Sequence, residues 1–93
     1  MIKVEGRDLW RSGVKIGHVG DGYIIDHSGT RVGAYTSDQV HDRTGRKVAE
    51  VSGDYIFFSD GSPKIRIEDN NRDVMGGSLS NVQKAAARVL LGE

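Results

Sequence analysis

The chain contains no cysteine. That excludes a disulfide framework, a thiolate nucleophile and a zinc site built on Cys ligands, so the fold must rest on packing alone. Excess charge is missing too, because 13 Lys and Arg offset 13 Asp and Glu. Without a net field to gather polyanions, the composition argues against nucleic acid or an anionic membrane surface as a partner. No apolar run approaches the ~20 residues needed to span a bilayer. The opening Met-Ile-Lys-Val-Glu-Gly also lacks the basic region and apolar core of a secretory leader. A cytoplasmic protein is expected. At 93 residues the chain should form a single domain, 1–93, with one modest core.

What the sequence does contain is a period. Arg7 to Gly22, Tyr23 to Asp38, Gln39 to Asp54 and Tyr55 to Asn70 stack as four sixteen-residue blocks without a gap. Gly13, Gly29, Gly45 and Gly61 share one column, preceded by Ser12, Ser28, Thr44 and Asp60. A small polar residue followed by glycine reverses a strand readily, so each block reads as a hairpin with a structural turn glycine. Ile16, Val32 and Val48 follow three residues after the glycine, and Val19, Tyr35, Val51 and Ile67 follow six after it. Ile24, Val40 and Ile56 stand five before it, where the first block has Asp8 instead. Two β-prone arms per block predict eight short antiparallel strands over 7–70. The clusters Gly20-Asp21-Gly22, Thr36-Ser37-Asp38, Ser52-Gly53-Asp54 and Glu68-Asp69-Asn70 serve as linkers. Gly17, Gly33 and Ala49 form a column of small residues broken by Ile65. Such a column fits either crowding where the blocks converge or a bulge in each second strand.

Beyond the blocks, Gly76-Gly77 releases the chain into a C-terminal helix over 80–91. Ser80 and Gln83 form a capping box, and Gly92 supplies a stop. Val82, Ala85, Ala86, Val89 and Leu90 share one face, which should dock on the hairpins and leave Lys84 toward solvent.

Blocks such as Tyr23-Ile-Ile-Asp-His-Ser-Gly and Tyr55-Ile-Phe-Phe-Ser-Asp-Gly resemble the four-fold beta flower family of small bacterial proteins. The resemblance implies a mainly β fold with one C-terminal helix, its four hairpins in pseudo-fourfold arrangement. It carries no activity and no site residues. The alternative is a small PRC-type β-barrel, to which Val14-Lys-Ile-Gly-His-Val and Thr30-Arg-Val-Gly-Ala-Tyr are similar. The regular period disfavours that barrel.

Chemistry is sparse. Asp26-His27 and His41-Asp42 are the only clustered acid and imidazole groups. Brought together, they would offer carboxylates and a base to a small hydrolase or a metal-dependent enzyme. Both pairs adjoin polar turns, where charged residues belong on a solvated face. His18 reads as an isolated surface residue, and no serine lies in a nucleophile-elbow context. No cofactor motif is present, and a metal site is not expected. The aromatic residues say more, because in Tyr55-Ile56-Phe57-Phe58 successive side chains face opposite ways and a single helix covers only one face. One of Phe57 and Phe58 should therefore lie at an interface, with Tyr55 and Trp10 as further interface candidates. The favoured function is a non-enzymatic interaction or self-assembly module, associating as a homodimer.

Overall fold

In the computed structural model, which describes residues 1–92, the short β-prone runs and glycine turns become ten strands and two helices. The strands are β1 (Ile2–Glu5), β2 (Asp8–Arg11), β3 (Val14–Val19), β4 (Tyr23–Asp26), β5 (Arg31–Tyr35), β6 (Gln39–Asp42), β7 (Lys47–Ser52), β8 (Tyr55–Phe58), β9 (Ile65–Arg66) and β10 (Val74–Met75). Helix α1 (Ile67–Asp73) joins β9 to β10, and α2 (Asn81–Leu91) follows. From β1 to β9 each strand pairs antiparallel with its neighbour in sequence. Strand β10 returns to pair parallel with β1. No helix among the described residues is long and apolar enough to cross a membrane.

The turns explain where the sequence columns hold and where they break. Gly29 and Gly45 have φ of 85° and 88°, a conformation that costs a residue with a Cβ but not glycine. The Asp26 amide donates to the Thr30 carbonyl at 2.9 Å, and the Asp42 amide to that of Arg46 at 2.9 Å, closing three-residue loops. The β2–β3 turn is one residue shorter. Ser12 and Gly13 reverse the chain alone, with φ of 52° and 79°. Losing that residue moves the core position from five before the glycine, where Ile24, Val40 and Ile56 are buried, to four before it, where Leu9 is buried. Asp8 thereby passes to the outer face, opposite His18.

Of the two readings of the small-residue column, the structure shows the bulges, in three of the second strands. Leu9 faces Gly17 while Trp10 faces Lys15, so Ile16 is an extra residue in β3. Val32 and Val48 are extra in the same way in β5 and β7. Each bulge bends its strand and adds twist, and all three residues pack against the core. Crowding is present as well, and it comes from the next strand and from α2. A Cβ on Gly17 would lie 2.5 Å from the Ile25 carbonyl oxygen and 2.9 Å from Leu91 Cδ1; one on Gly33 would lie 2.6 Å from Leu90 Cδ1. Side-chain size then grows across the sheet, through Ala49 to Ile65, away from the strands beneath those leucines.

Helix α2 is more enclosed than one amphipathic face requires. Val82, Ala85, Ala86 and Ala87 are all buried, and three successive alanines sweep about 200° of a helix. Ala87 thus joins the core from outside the expected face, and Lys84 is half-buried rather than solvent-facing. The helix touches each strand from β3 to β7 as well as β10 and α1. Its start is fixed by the capping box, in which Ser80 Oγ accepts from the Gln83 amide at 3.3 Å and Gln83 Oε1 from the Ser80 amide at 2.8 Å. Gln83 Nε2 also donates to Tyr35 Oη at 2.9 Å, and Tyr35 Oη donates to the Gly20 carbonyl at 2.6 Å. Cap and sheet are thereby tied together.

The C-terminal part of the hairpin region departs from expectation. Eight strands become ten, the second arm of the last hairpin is only Ile65–Arg66, and the expected linker Glu68-Asp69-Asn70 is helical. Acidic residues in the first turn suit the helix dipole, and Arg72 pairs with both Glu68 and Asp69 at 3.4 Å. Seven helical residues span about 10 Å, so the sheet must curl until its two edges nearly meet. Helix α1 seals that seam, and Asn70, in its middle, is fully buried with neither carboxamide atom hydrogen-bonded. Such a group costs about 1–3 kcal/mol, so Asn70→Leu is expected to raise the urea midpoint of unfolding. A lower midpoint would show that the amide is needed there.

Candidate functional site

The clustered Asp and His residues are placed by their turns. Asp26 and Asp42 end β4 and β6, opposite Gly17 and Gly33. Asp26 Oδ1 accepts from Ser28 Oγ at 2.6 Å, the Ser28 amide at 2.9 Å and the Thr30 amide at 3.0 Å. Asp42 Oδ1 accepts from Thr44 Oγ1 at 2.5 Å, the Thr44 amide at 2.9 Å and the Arg46 amide at 3.1 Å. The hydroxyls of Ser28 and Thr44, followed by the amides, hold both carboxyls below the usual carboxylate range. The Oδ1 atom of each is occupied in shaping its turn. His27 sits exposed in its loop, and His41 lies between Ala34 and Lys47 in the sheet. No hydrogen bond or ion pair links Asp26-His27 to His41-Asp42 among the described residues, and no group of three or more acids and histidines there could hold a metal.

A different acid and imidazole do meet. His18 Nδ1 lies 2.8 Å from Asp8 Oδ1, and Lys15 Nζ lies 3.2 Å from the same oxygen. The bond to His18, then the one to Lys15, lowers the Asp8 carboxyl. The shortened first turn creates this pairing, so the broken column at Asp8 was the available signal. A shallow cavity of about 230 Å³ adjoins it, lined in part by Asp26 and His27. An oriented imidazole is half of a hydrolytic device. Of the two hydroxyls in the adjoining loop, Ser28 Oγ is committed to Asp26 and Thr30 Oγ1 lies 3.0 Å from Ser28 Oγ.

The aromatic strand divides as strand geometry demands. Ile56 and Phe58 turn inward, the first buried and the second packed against the core. Tyr55 and Phe57 turn outward with ring centroids 6.3 Å apart, and Phe57 remains 42% exposed. Lys64 Nζ stands over both rings, 4.6 Å from the Tyr55 centroid and 5.8 Å from that of Phe57. Tyr55 also lines a cleft of about 620 Å³ with Asp54, Arg66, Glu68, Asn71 and Asn81. Trp10 lies on the outer face between Lys3 and Lys15, its indole N–H buried without a partner.

Net neutrality conceals a separation of charge. In an antiparallel meander the glycine turns fall on one rim and the linkers on the other. Lys15, Arg31, Arg43, Arg46, Lys47 and Lys64 stand at or beside the turns, whereas Asp21, Asp38, Asp54, Glu68 and Asp69 stand at the linkers. Asp26, Asp42 and Asp60 temper the basic rim, and Arg7, Arg66 and Arg72 temper the acidic one. The chain matches no protein-family model, no curated protein and no solved structure.

Proposed function

We propose that this protein is a cytoplasmic, non-enzymatic interaction module of the four-fold beta flower type. In this reading its sixteen-residue hairpins stand in pseudo-fourfold array and it self-associates as a homodimer through the outer face of β8. One observation carries the proposal: Phe57 is 42% exposed on a strand whose inner face is already filled by Ile56 and Phe58. Beside it lie the Tyr55 ring and the Lys64 stem, so the surface combines an apolar centre with a cationic edge. Buried aromatics of this kind anchor interfaces, and small domains gain apolar burial by pairing. The sheet edges are unsuitable for pairing, because β9 and β10 have two residues each and α1 lies between them.

Light scattering coupled to size exclusion tests the reading. Wild type at micromolar concentration should run as a dimer, Phe57→Asp as a folded monomer, and Phe58→Asp should unfold by circular dichroism. A wild type that stays monomeric throughout that range removes the proposal.

A further inference from the structure

The face around Phe57 has opposite charge at its two ends, and the two ends are joined by one strand. Strand β7 (Lys47–Ser52) begins beside the basic turn carrying Arg43 and Arg46 and ends at the linker carrying Asp54. Its six residues cover about 20 Å. Glu50, within that strand, is paired with Phe57 on β8. Along the outer face the order is therefore basic turn, aromatic centre, acidic linker. Arg43, Arg46, Asp54 and Glu68 are all exposed. Asp54 and Glu68 share the cleft that begins at Tyr55, together with Arg66.

A stripe of this kind is self-complementary under one operation. Rotating a second copy by 180° about an axis that lies in the plane of the face beside Phe57, perpendicular to the strands, brings the two faces together with their strands in opposite directions. The basic turn of each copy then meets the acidic linker and cleft of the other. From this we infer that the partner on the β8 face is a second copy in antiparallel orientation, with Arg43 and Arg46 of each chain seated against Asp54 and Glu68 of the other. The inference rests on the self-association proposed above and adds its geometry. A parallel arrangement would set like charges together and is disfavoured on the same ground.

Charge reversal in both directions tests it. One variant carries Arg43→Glu and Arg46→Glu, the other Asp54→Arg and Glu68→Arg. Each contact occurs twice in a symmetric dimer, so either variant alone should dimerise at least about tenfold more weakly than wild type by sedimentation velocity. Mixed in equal amounts, the two should form a heterodimer about as tight as the wild-type homodimer, because every reversed pair again has opposite signs. Should a reversal unfold the chain, the corresponding Gln substitutions, each measured alone, should weaken dimerisation by a smaller factor, and the wild-type dimer should weaken more steeply with salt than they do. Variants that dimerise as well as wild type overturn the antiparallel pairing while leaving the Phe57 interface standing. Weakened variants whose mixture fails to recover also overturn it. A wild type that never dimerises overturns the underlying reading instead.

Discussion

Gly33→Ala is expected to destabilise the protein by about 3 kcal/mol, the upper end of the range for overpacking a filled site. For a domain of this size that lowers the melting temperature by roughly 12–24 °C. The added carbon would meet two neighbours at once. One is the His41 carbonyl oxygen, held in the sheet by pairing; the other is the Leu90 side chain, whose Cδ1 and Cδ2 lie 2.6 and 2.7 Å from where the carbon would sit. The Leu90 side chain can give way only in part, and the carbonyl oxygen belongs to the paired backbone, so the strands must separate or the helix lift. Thermal melts by circular dichroism measure the effect. A variant melting with wild type would show that α2 does not pack on β5 as described.

Leu90→Ala should cost about 2–3 kcal/mol, the lower part of the range for truncating a core leucine, because Leu90 is half-buried and not sealed. Its methyl groups fill the space above a glycine. The loss should also depend on residue 33. In the double variant with Gly33→Ala, removing the leucine relieves part of the clash, so the two costs should fall short of additivity by about 1 kcal/mol. Chemical denaturation of the four proteins gives the coupling directly. Strict additivity would mean that the two residues do not touch.

Much of this architecture could be read from local chemistry, because turn residues and strand patterning act at short range. The glycine turns, the β-prone arms and the Ser80 capping box each require only a few adjacent residues. Features that depend on two distant segments were not visible in the same way. The parallel pairing of Ile2 with Val74 links the ends of the hairpin array, and neither two-residue β10 nor the short helix before it has a pattern of its own. The column of small residues was visible, but the helix leucines that need it lie more than fifty residues away in sequence. For the site, Asp26, His27, His41 and Asp42 stood out by residue type, yet type does not reveal that the hydroxyls of Ser28 and Thr44 occupy the two carboxylates. Asp8 and His18 were hidden by a one-residue difference in turn length. The two rims were hidden by their own cancellation, since a count of charges loses their order along the chain.

The closed seam also governs how such a chain reaches its native state. Along the meander every strand meets the one before it, so the hairpins have low contact order and each can form within microseconds without waiting for the others. Only one strand pairing requires distant parts of the chain, that of β1 with β10, and the loop it closes runs from Ile2 to Val74. Loop-closure entropy rises only slowly with length, but it falls here on a two-residue strand that offers few hydrogen bonds in return. Docking of α2 supplies the missing free energy, since that helix touches β10, α1 and the middle strands together. Folding is therefore committed late, when α2, which follows every strand in the chain, settles onto hairpins that are already made.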